Sequence, residues 1–412
     1  QENKLYFEIG VFMKKIVKKI WLPIKEVLKK IRDFLYRNPI TEHVIKVKDQ
    51  ILLESKPDFS DNTYALYQEM LKHNYQDKYQ IIWLVTTDEI PEVNQNPKIK
   101  YFNVNKKGPI NKLKFQYLLN SSKYIITCNR VFKRKTNRQT IIYLNHGSPL
   151  KDLKKLKMNY STVSESITMS KYFVPEDSKN MNIDPTKFYI NGFPRNDDLL
   201  TTNNKIKKVF NINKEKIIVW LPTFRVYEDA KRIDSDFQMP LGVPIIYNEV
   251  ELKKLNDYLV KNNVVIILKP HFAANINNIK IQKLSNFIIT NNSFLNQNGI
   301  SLYSLLGVSD ALITDYSSVY YDYLIKNKPI ALTLDDYENY KKNTGFLYDY
   351  KSIIKGYYVY DKKDLYSFID EIKESLDTCK KSREETIKLL NLDTKGNYSK
   401  KLFKHLVDKY HF

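Results

Sequence analysis

Three short polar segments carry side chains that suit phosphate chemistry. They are residues 145–151 (NHGSPLK), 269–271 (KPH) and 314–318 (TDYSS), and each begins where an apolar run ends. A neutral imidazole can take a proton from an attacking hydroxyl near neutral pH, while lysines and hydroxyls can hold phosphate oxygens. The three segments therefore predict a site for a phosphate-bearing ligand.

The two histidines are expected to act differently. His146 is the candidate catalytic base, and Gly147 beside it permits a close backbone approach or a positive φ. His271 and Lys269 would supply a hydrogen-bond donor and a cation to a transferred phosphoryl group. The alternative for either histidine is that it only anchors its loop by bonding to the backbone.

The segment 314–318 lies between a predicted strand and a predicted helix over 317–326. Asp315 and Ser317 are good N-cap residues, and the start of a helix attracts anions. Thr314, Ser317 and Ser318 add hydroxyl groups, so we include all four residues among the candidates for binding donor phosphate. Asp315 would repel phosphate unless it caps the helix or binds a hydroxyl. Ordinary capping without a ligand is the alternative.

Two arginines follow proline-containing turns near strand ends. Arg195 and Arg225 could each bind phosphate oxygens in a bidentate manner, or form a surface salt bridge instead. Arg225 is placed with the donor-phosphate candidates. The remaining candidates lie beside these motifs, and they are Ser148, Lys151, Asn196 and Asp197.

The elements that would position these side chains alternate between strand and helix, which predicts α/β domains with parallel sheets. Ligands bind such sheets outside the carboxyl ends of the strands, where the polar segments lie. Strands are predicted at 51–54, 80–85, 101–104, 124–127, 141–144, 166–169, 188–191, 217–221, 264–268, 287–290, 311–314 and 329–332. Helices are predicted at 62–73, 109–120, 247–262, 302–307, 317–326, 363–375, 382–390 and 399–410. We expect two Rossmann-like domains, at 43–200 and 201–412, that face each other across a cleft, after an N-terminal segment at 1–42.

The motifs together resemble the CDP-glycerol glycerophosphotransferase family, the teichoic-acid primases and polymerases of Gram-positive cell walls. That family's usual run is WHGTPLK, and Asn145 and Ser148 replace its Trp and Thr here. Residues 191–197, 221–225 and 315–319 also match, in the expected order, within a resemblance that runs from about residue 50 to about residue 350. The resemblance implies the GT-B fold, His146 as the general base, and a donor-pyrophosphate site at 314–318.

The resemblance also implies an activity. The enzyme would transfer glycerol phosphate, or a related polyol phosphate, from CDP-glycerol or CDP-ribitol to a hydroxyl of an undecaprenyl-diphosphate-linked teichoic-acid or capsule precursor, and release CMP. Neither a metal nor another cofactor is expected. The alternatives are a GT-B glycosyltransferase that uses a nucleotide sugar, or a non-catalytic basic module that binds membrane or nucleic acid. Because no nucleic-acid motif occurs, we expect no nucleic-acid partner.

Positive charge is concentrated near the start of the chain. Lys plus Arg total 67 against 46 Asp plus Glu, and residues 13–37 carry nine of these basic residues against two acidic ones, at helical spacing with apolar residues. No apolar run there reaches the ~20 residues that span a bilayer. We expect a basic amphipathic helix that lies on an anionic membrane surface, at the cytoplasmic face, with Pro23 kinking it. The alternative is a helix packed on the body of the protein. The presence of only two cysteines indicates a reducing compartment.

Overall fold

The computed structural model describes residues 45–132, 137–152, 158–213, 215–227, 232–271 and 284–412, together with 23, 24, 26, 27, 30 and 31. Two parallel β-sheets organise this part of the chain. The first has seven strands in the order β3-β2-β1-β4-β5-β6-β7. Its strands are β1 (Lys48–Glu54), β2 (Gln80–Val85), β3 (Lys100–Asn103), β4 (Ser122–Thr127), β5 (Thr140–Tyr143), β6 (Glu165–Thr168) and β7 (Phe188–Ile190).

The second sheet has six parallel strands in the order β12-β11-β8-β13-β14-β15. Two antiparallel strands of two residues each, β9 and β10, form a separate small sheet. The strands are β8 (Lys216–Trp220), β9 (Val226–Tyr227), β10 (Arg232–Ile233), β11 (Val264–Leu268), β12 (Phe287–Ile289), β13 (Ala311–Thr314), β14 (Ile330–Thr333) and β15 (Tyr357–Val359). Both sheets reverse their strand order once, between β1 and β4 and between β8 and β13, which is where doubly wound sheets bind ligands.

Helices cover the faces of both sheets. They are α1 (Asp61–Lys72), α2 (Tyr75–Lys78), α3 (Pro109–Ser121), α4 (Val174–Met181), α5 (Asn204–Val209), α6 (Glu249–Asn262), α7 (Asn292–Gln297), α8 (Leu302–Val308), α9 (Val319–Leu324), α10 (Tyr337–Asn343), α11 (Tyr350–Ile353), α12 (Lys362–Lys373), α13 (Lys380–Leu389) and α14 (Tyr398–Tyr410). Local sequence sets their limits. The Asn248 side chain caps the start of α6, for example, and Asn263 ends it with a φ of 56°.

Continuous apolar strands explain why helices are needed on both faces. All five residues of β11 (VVIIL) are buried, as are all four of β13 (ALIT). Strands buried on both faces are typical of parallel sheets. The predicted α/β fold with two Rossmann-like domains is therefore confirmed, and every predicted strand and helix overlaps an observed one.

Some details differ from the sequence-based expectations. The helix predicted over 317–326 is shorter, because α9 covers only Val319–Leu324. Several short elements were not predicted, among them the edge strand β15 and the helix α5. The last helix, α14, returns to the first sheet, where the Tyr124 hydroxyl donates to the Tyr410 carbonyl at 3.0 Å. The domain limits at 42 and 200 stay predictions.

The expected amphipathic helix at 13–37 lies mostly outside the described residues. Its six described residues are helical and exposed. No helix within the described ranges is long and apolar enough to cross a membrane.

Candidate active site

A cleft of about 1170 Å³ opens at the carboxyl ends of both sheets. It brings together ten of the fourteen residues singled out from the sequence. Those that line it are His146, Gly147, Ser148, Lys151, Arg195, Asp197, Lys269, His271, Ser317 and Ser318. The other four are buried outside the lining, and they are Asn196, Arg225, Thr314 and Asp315.

A tight turn after β5 presents His146 to the cleft. Asn145 adopts a φ of 53°, and its side-chain oxygen accepts a hydrogen bond from the His146 backbone N–H at 2.7 Å. Asn62, at the start of α1, donates to the Asn145 carbonyl at 2.9 Å and to the Leu144 carbonyl at 3.0 Å. Asparagine tolerates the left-handed conformation better than most residues, so the departure from the family's Trp at 145 is compatible with this turn.

The imidazole of His146 is oriented by the backbone of a neighbouring strand end. Its Nδ1 lies 3.1 Å from the Cys128 carbonyl oxygen, while the Tyr143 hydroxyl is 3.3 Å away. Because a carbonyl only accepts, this contact places the proton on Nδ1 and leaves Nε2 as the basic nitrogen. The enclosing protein lowers the pKa of His146, with Arg195 adding to the shift and Asp61 opposing it. The side chain is nonetheless open to the cleft, so a neutral imidazole faces it.

Gly147 brings the first domain into direct contact with the segment 314–318. A Cβ on Gly147 would lie 2.4 Å from the Ser318 Oγ and 3.2 Å from its Cβ. Its φ is not positive, so close approach is the property that the position needs. Ser148 beside it is buried, and its hydroxyl has no hydrogen-bond partner among the residues that the structure describes.

Lys269 and His271 form the opposite wall. The Lys269 side chain is buried, which lowers its pKa to about 8. Within the described part of the chain, neither a carboxylate nor a hydrogen-bond acceptor is paired with its ammonium group. The Phe224 ring lies 4.8 Å from the His271 ring, centroid to centroid. An ammonium group that is buried in a cleft without an anion favours binding of an anionic ligand.

Arg225 lies behind this wall rather than on it. Its guanidinium donates to Asp336 at 2.7 and 3.0 Å and to Asp315 at 2.9 Å. Asp315 also accepts from the Thr223 backbone N–H at 2.9 Å. Asp315 therefore has a structural role, because its carboxylate joins the loop after β8 to the end of β13.

The segment 314–318 separates into buried and cleft-lining residues. Thr314 donates to the Leu221 carbonyl at 2.9 Å, deep between β8 and β13. Ser317 and Ser318 line the cleft, and α9 begins only after them. Ser317 Oγ accepts a long hydrogen bond of 3.4 Å from the Val319 N–H. Asp315, one of the two possible N-cap residues, does not cap this helix, because its carboxylate accepts hydrogen bonds from the Thr223 and Tyr316 backbone N–H groups and from Arg225.

Arg195, in the first domain, bonds both to the turn that carries His146 and to helix α9 of the second domain. It donates to Asp61 at 2.6 Å, to the His146 carbonyl at 2.8 Å and to Asp322 of α9 at 2.9 Å. Asn196 also donates to Asp322, at 2.8 Å. Asp197 accepts from the first backbone N–H groups of α14 at 2.8 and 2.9 Å. This motif therefore organises the junction of the domains.

Several contributors to the site were not identified from the sequence. Asp61 and Asn62 open α1 and hold the His146 turn, while Asp322 and Asp336 pair with the two arginines. Each is an isolated polar residue without a local motif, so only its long-range partner shows its role. In the described ranges, no group of three or more His, Cys, Asp or Glu side chains could hold a metal ion.

Comparison with known proteins identifies the family to which this chain belongs. Residues 37–408 match the model of a family described as CDP-Glycerol:Poly(glycerophosphate) glycerophosphotransferase. The chain belongs to this family. The members of this glycerophosphotransferase family are transferases. The resemblance that the sequence motifs indicated is therefore confirmed.

Relatives in the family act in teichoic acid synthesis. A teichoic acid glycerol-phosphate primase of Bacillus subtilis (strain 168) is 29% identical over 76% of this chain and 81% of the relative. The teichoic acid ribitol-phosphate polymerase TarL of Staphylococcus aureus (strain NCTC 8325 / PS 47) is 25% identical over 86% of this chain and 61% of the relative. The solved wall teichoic acid polymerase TagF is 23% identical, with a TM-score of 0.72 over 98% of this chain and 97% of that one. Its likeness shows the shared fold.

Proposed function

We propose that this glycerophosphotransferase moves glycerol phosphate, or a related polyol phosphate such as ribitol phosphate, from a CDP-activated donor to a hydroxyl of a lipid-linked teichoic-acid or capsule precursor. The observation that carries the proposal is that one cleft holds both a neutral His146 and a buried Lys269 that has no carboxylate partner among the described residues. The first suits deprotonation of a hydroxyl, and the second suits a phosphate. Family membership and the teichoic-acid relatives support the choice of substrates.

The reaction assigns one role to each wall. His146 Nε2 takes the proton of the acceptor hydroxyl, whose oxygen attacks the phosphorus that bears the polyol. The bond from that phosphorus to the bridging oxygen of CMP breaks, and CMP leaves as a phosphate monoester. Lys269 and His271 stabilise the charge on the transferred phosphoryl group, while Ser317 and Ser318 bind the leaving phosphate.

The buried residues act through these groups. Arg225 and Asp315 fix the loop after β8 against β13, and so position the wall that carries Ser317 and Ser318. Arg195 holds the His146 carbonyl. We assign both arginines as positioning residues, in place of the direct phosphate contacts expected from the sequence.

A membrane surface is the proposed location of the reaction. The apolar Ile24, Val27 and Ile31 are helical and 42%, 55% and 43% exposed. They repeat at intervals of three and four residues, and so share one helix face. Ile31 also borders a shallow apolar groove with Phe102 and Leu113. The exposed apolar side chains, the position of Ile31 at this groove and the lysines of the segment support a helix that lies between the body and an anionic cytoplasmic leaflet.

The test is incubation with CDP-glycerol or CDP-ribitol and a synthetic lipid-linked acceptor, with product length resolved by mass spectrometry. We expect one CDP-polyol to yield CMP and an acceptor heavier by one or more polyol phosphates. His146→Ala should lower turnover at least ~100-fold while the protein stays folded, because a general base is lost. In a parallel incubation with nucleotide sugars, transfer of a sugar would instead support the glycosyltransferase alternative. Near-normal turnover of the folded variant would exclude His146 as the base.

A further inference from the structure

The His146 loop leaves the first domain and pairs with the second. The Lys151 backbone forms an antiparallel bridge with Phe346, which lies between α10 and α11. On either side, Leu347 donates to the Leu150 carbonyl at 3.0 Å, and Asp152 donates to the Gly345 carbonyl at 3.2 Å. We call residues 150–152 the strap. It fixes the end of the His146 loop on the domain that carries His271.

The side chain of Lys151 is seated in the second domain. Its ammonium lies 3.5 Å from Asp234 Oδ2 and 5.5 Å from the ring centroids of both Phe224 and Tyr340. The Lys151 side chain is 17% exposed and that of Asp234 only 3%. Tyr340 donates its hydroxyl to the same carboxylate at 3.0 Å. Lys151 is thus paired across the domain boundary, and is not a cation that only faces solvent.

The seat of Lys151 adjoins the wall of His271. Phe224, over which the ammonium lies, contacts the His271 ring at 4.8 Å between centroids. His146 stands only five residues before Lys151 in the same loop. Lys151, which Asp234 holds in place, therefore links the loop of His146 to Phe224, the ring that packs on His271.

We propose that Lys151 is a positioning residue that sets the separation of His146 and His271 across the cleft. The proposal rests on the proposed phosphotransfer, and it replaces the phosphate contact considered for Lys151 from the sequence. Without the ion pair, His146 would shift relative to a donor held by the second domain. Misplacement by about 1 Å can cost on the order of 100-fold in rate. Donor affinity would change little, because Lys269, Ser317 and Ser318 are untouched.

The experiment compares Lys151→Met, Asp234→Asn and the double variant, with Lys363→Met as the matched control for loss of one lysine. Lys363 lies exposed on α12, outside the cleft. With a soluble acceptor, we expect each single variant to lower kcat about tenfold or more while donor KM changes less than about threefold. The double variant should be no slower than the slower single variant, because both remove the same link. The control should match the unaltered protein.

Three outcomes would overturn the proposal. A raised donor KM with preserved kcat would make Lys151 a phosphate ligand. Independent losses that multiply in the double variant would separate Lys151 from Asp234. Unchanged kinetics in both single variants would remove any positioning role.

A second measurement does not depend on activity. Hydrogen exchange read by mass spectrometry should quicken in residues 145–152 and 345–347 of Lys151→Met and Asp234→Asn, but not in Lys363→Met. If the unaltered protein uses no CDP-polyol, the proposed function fails. The hydrogen-exchange measurement would still test whether Lys151 and Asp234 hold the strap on the second domain. Unchanged exchange would refute the strap itself.

Discussion

At the scale of single residues, the cleft combines a neutral base, His146, with Lys269, whose amine is only partly protonated near neutral pH. Burial lowers the pKa of Lys269 to about 8, so a substantial fraction of the free ammonium loses its proton just above neutral pH. A phosphate beside it would favour the charged form and restore the proton. Binding of an anionic donor should therefore be coupled to protonation of this one side chain.

Donor affinity should fall as pH rises through about 8, since Lys269 is charged below its pKa and neutral above it. The pyrophosphate of a CDP-polyol keeps its charge over this range and does not add a step. Lys269→Arg should bind the donor with no weakening near that pH, because arginine stays protonated. Lys269→Met should bind weakly at every pH. Calorimetric titration from pH 6.5 to 9.5 measures this, and an affinity that stays constant in the unaltered protein would contradict it.

Residue types were easier to predict than residue partners. The sequence places Arg225 near a strand end, but its partner Asp336 lies 111 positions further along the chain. Nothing local indicates that the guanidinium turns inward to two carboxylates instead of outward to a phosphate. His146 and Lys269 both line the cleft, and this position could be anticipated because each follows a strand whose direction is fixed by the parallel sheet.

At the scale of elements, long apolar runs made the sheets predictable. The predicted limits of β2, β11 and β13 agree with the structure residue for residue. The helix after β13 is shorter than predicted because Asp315 bonds to Thr223 and Tyr316, which holds the residues before Ser318 in a turn. The edge strand β15, with only three residues, has too short a pattern to be recognised.

Contact between two loops should limit what position 147 tolerates. Gly147→Ala would place a methyl group against Ser318, so we expect either the His146 turn or Ser318 to shift and turnover to fall. Ser318→Ala in the same protein should recover part of the loss, since only the Cβ contact at 3.2 Å remains. Ser318→Gly should recover more of the position of His146, whatever Ser318 itself contributes to donor binding.

Steady-state kinetics of these double variants, each compared with its single Ser318 variant, test the contact. No recovery in either double variant would mean that the methyl group acts elsewhere than on Ser318.

At the scale of the whole molecule, one buried arginine joins the two domains. Arg195 pairs with Asp61 of α1 and with Asp322 of α9, and both it and Asp322 are buried. Among the described residues, Arg195→Met would leave the buried Asp322 with Asn196 at 2.8 Å and the Tyr303 hydroxyl at 3.4 Å as its hydrogen-bond donors. Removing one partner of a buried ion pair costs about 3–5 kcal/mol in the free energy of unfolding.

The urea midpoint measures this cost, and a second substitution isolates its cause. Arg195→Met with Asp322→Asn should be less destabilised than the sum of the single variants, because the stranded charge has been removed. Additive losses would show that the two residues stabilise the protein independently. The comparison concerns stability alone, since Arg195 also holds the His146 carbonyl.

Attachment to a membrane would place this cleft near a lipid-linked acceptor. Deleting residues 13–37 should release the protein from anionic vesicles and leave transfer to a soluble acceptor intact, because the segment lies before every cleft residue in the chain. Its lysines would contribute about 1 kcal/mol each near an anionic leaflet. Binding should weaken as salt rises and screens those charges.

Co-sedimentation at low and high salt compares the full chain, the deletion, and a variant with Ile24 and Val27 changed to Ser. That variant keeps every lysine, so any loss it shows reports burial of the exposed apolar face in lipid. Equal sedimentation of the deletion and the full chain would mean that the helix packs on the body and that another surface meets the membrane.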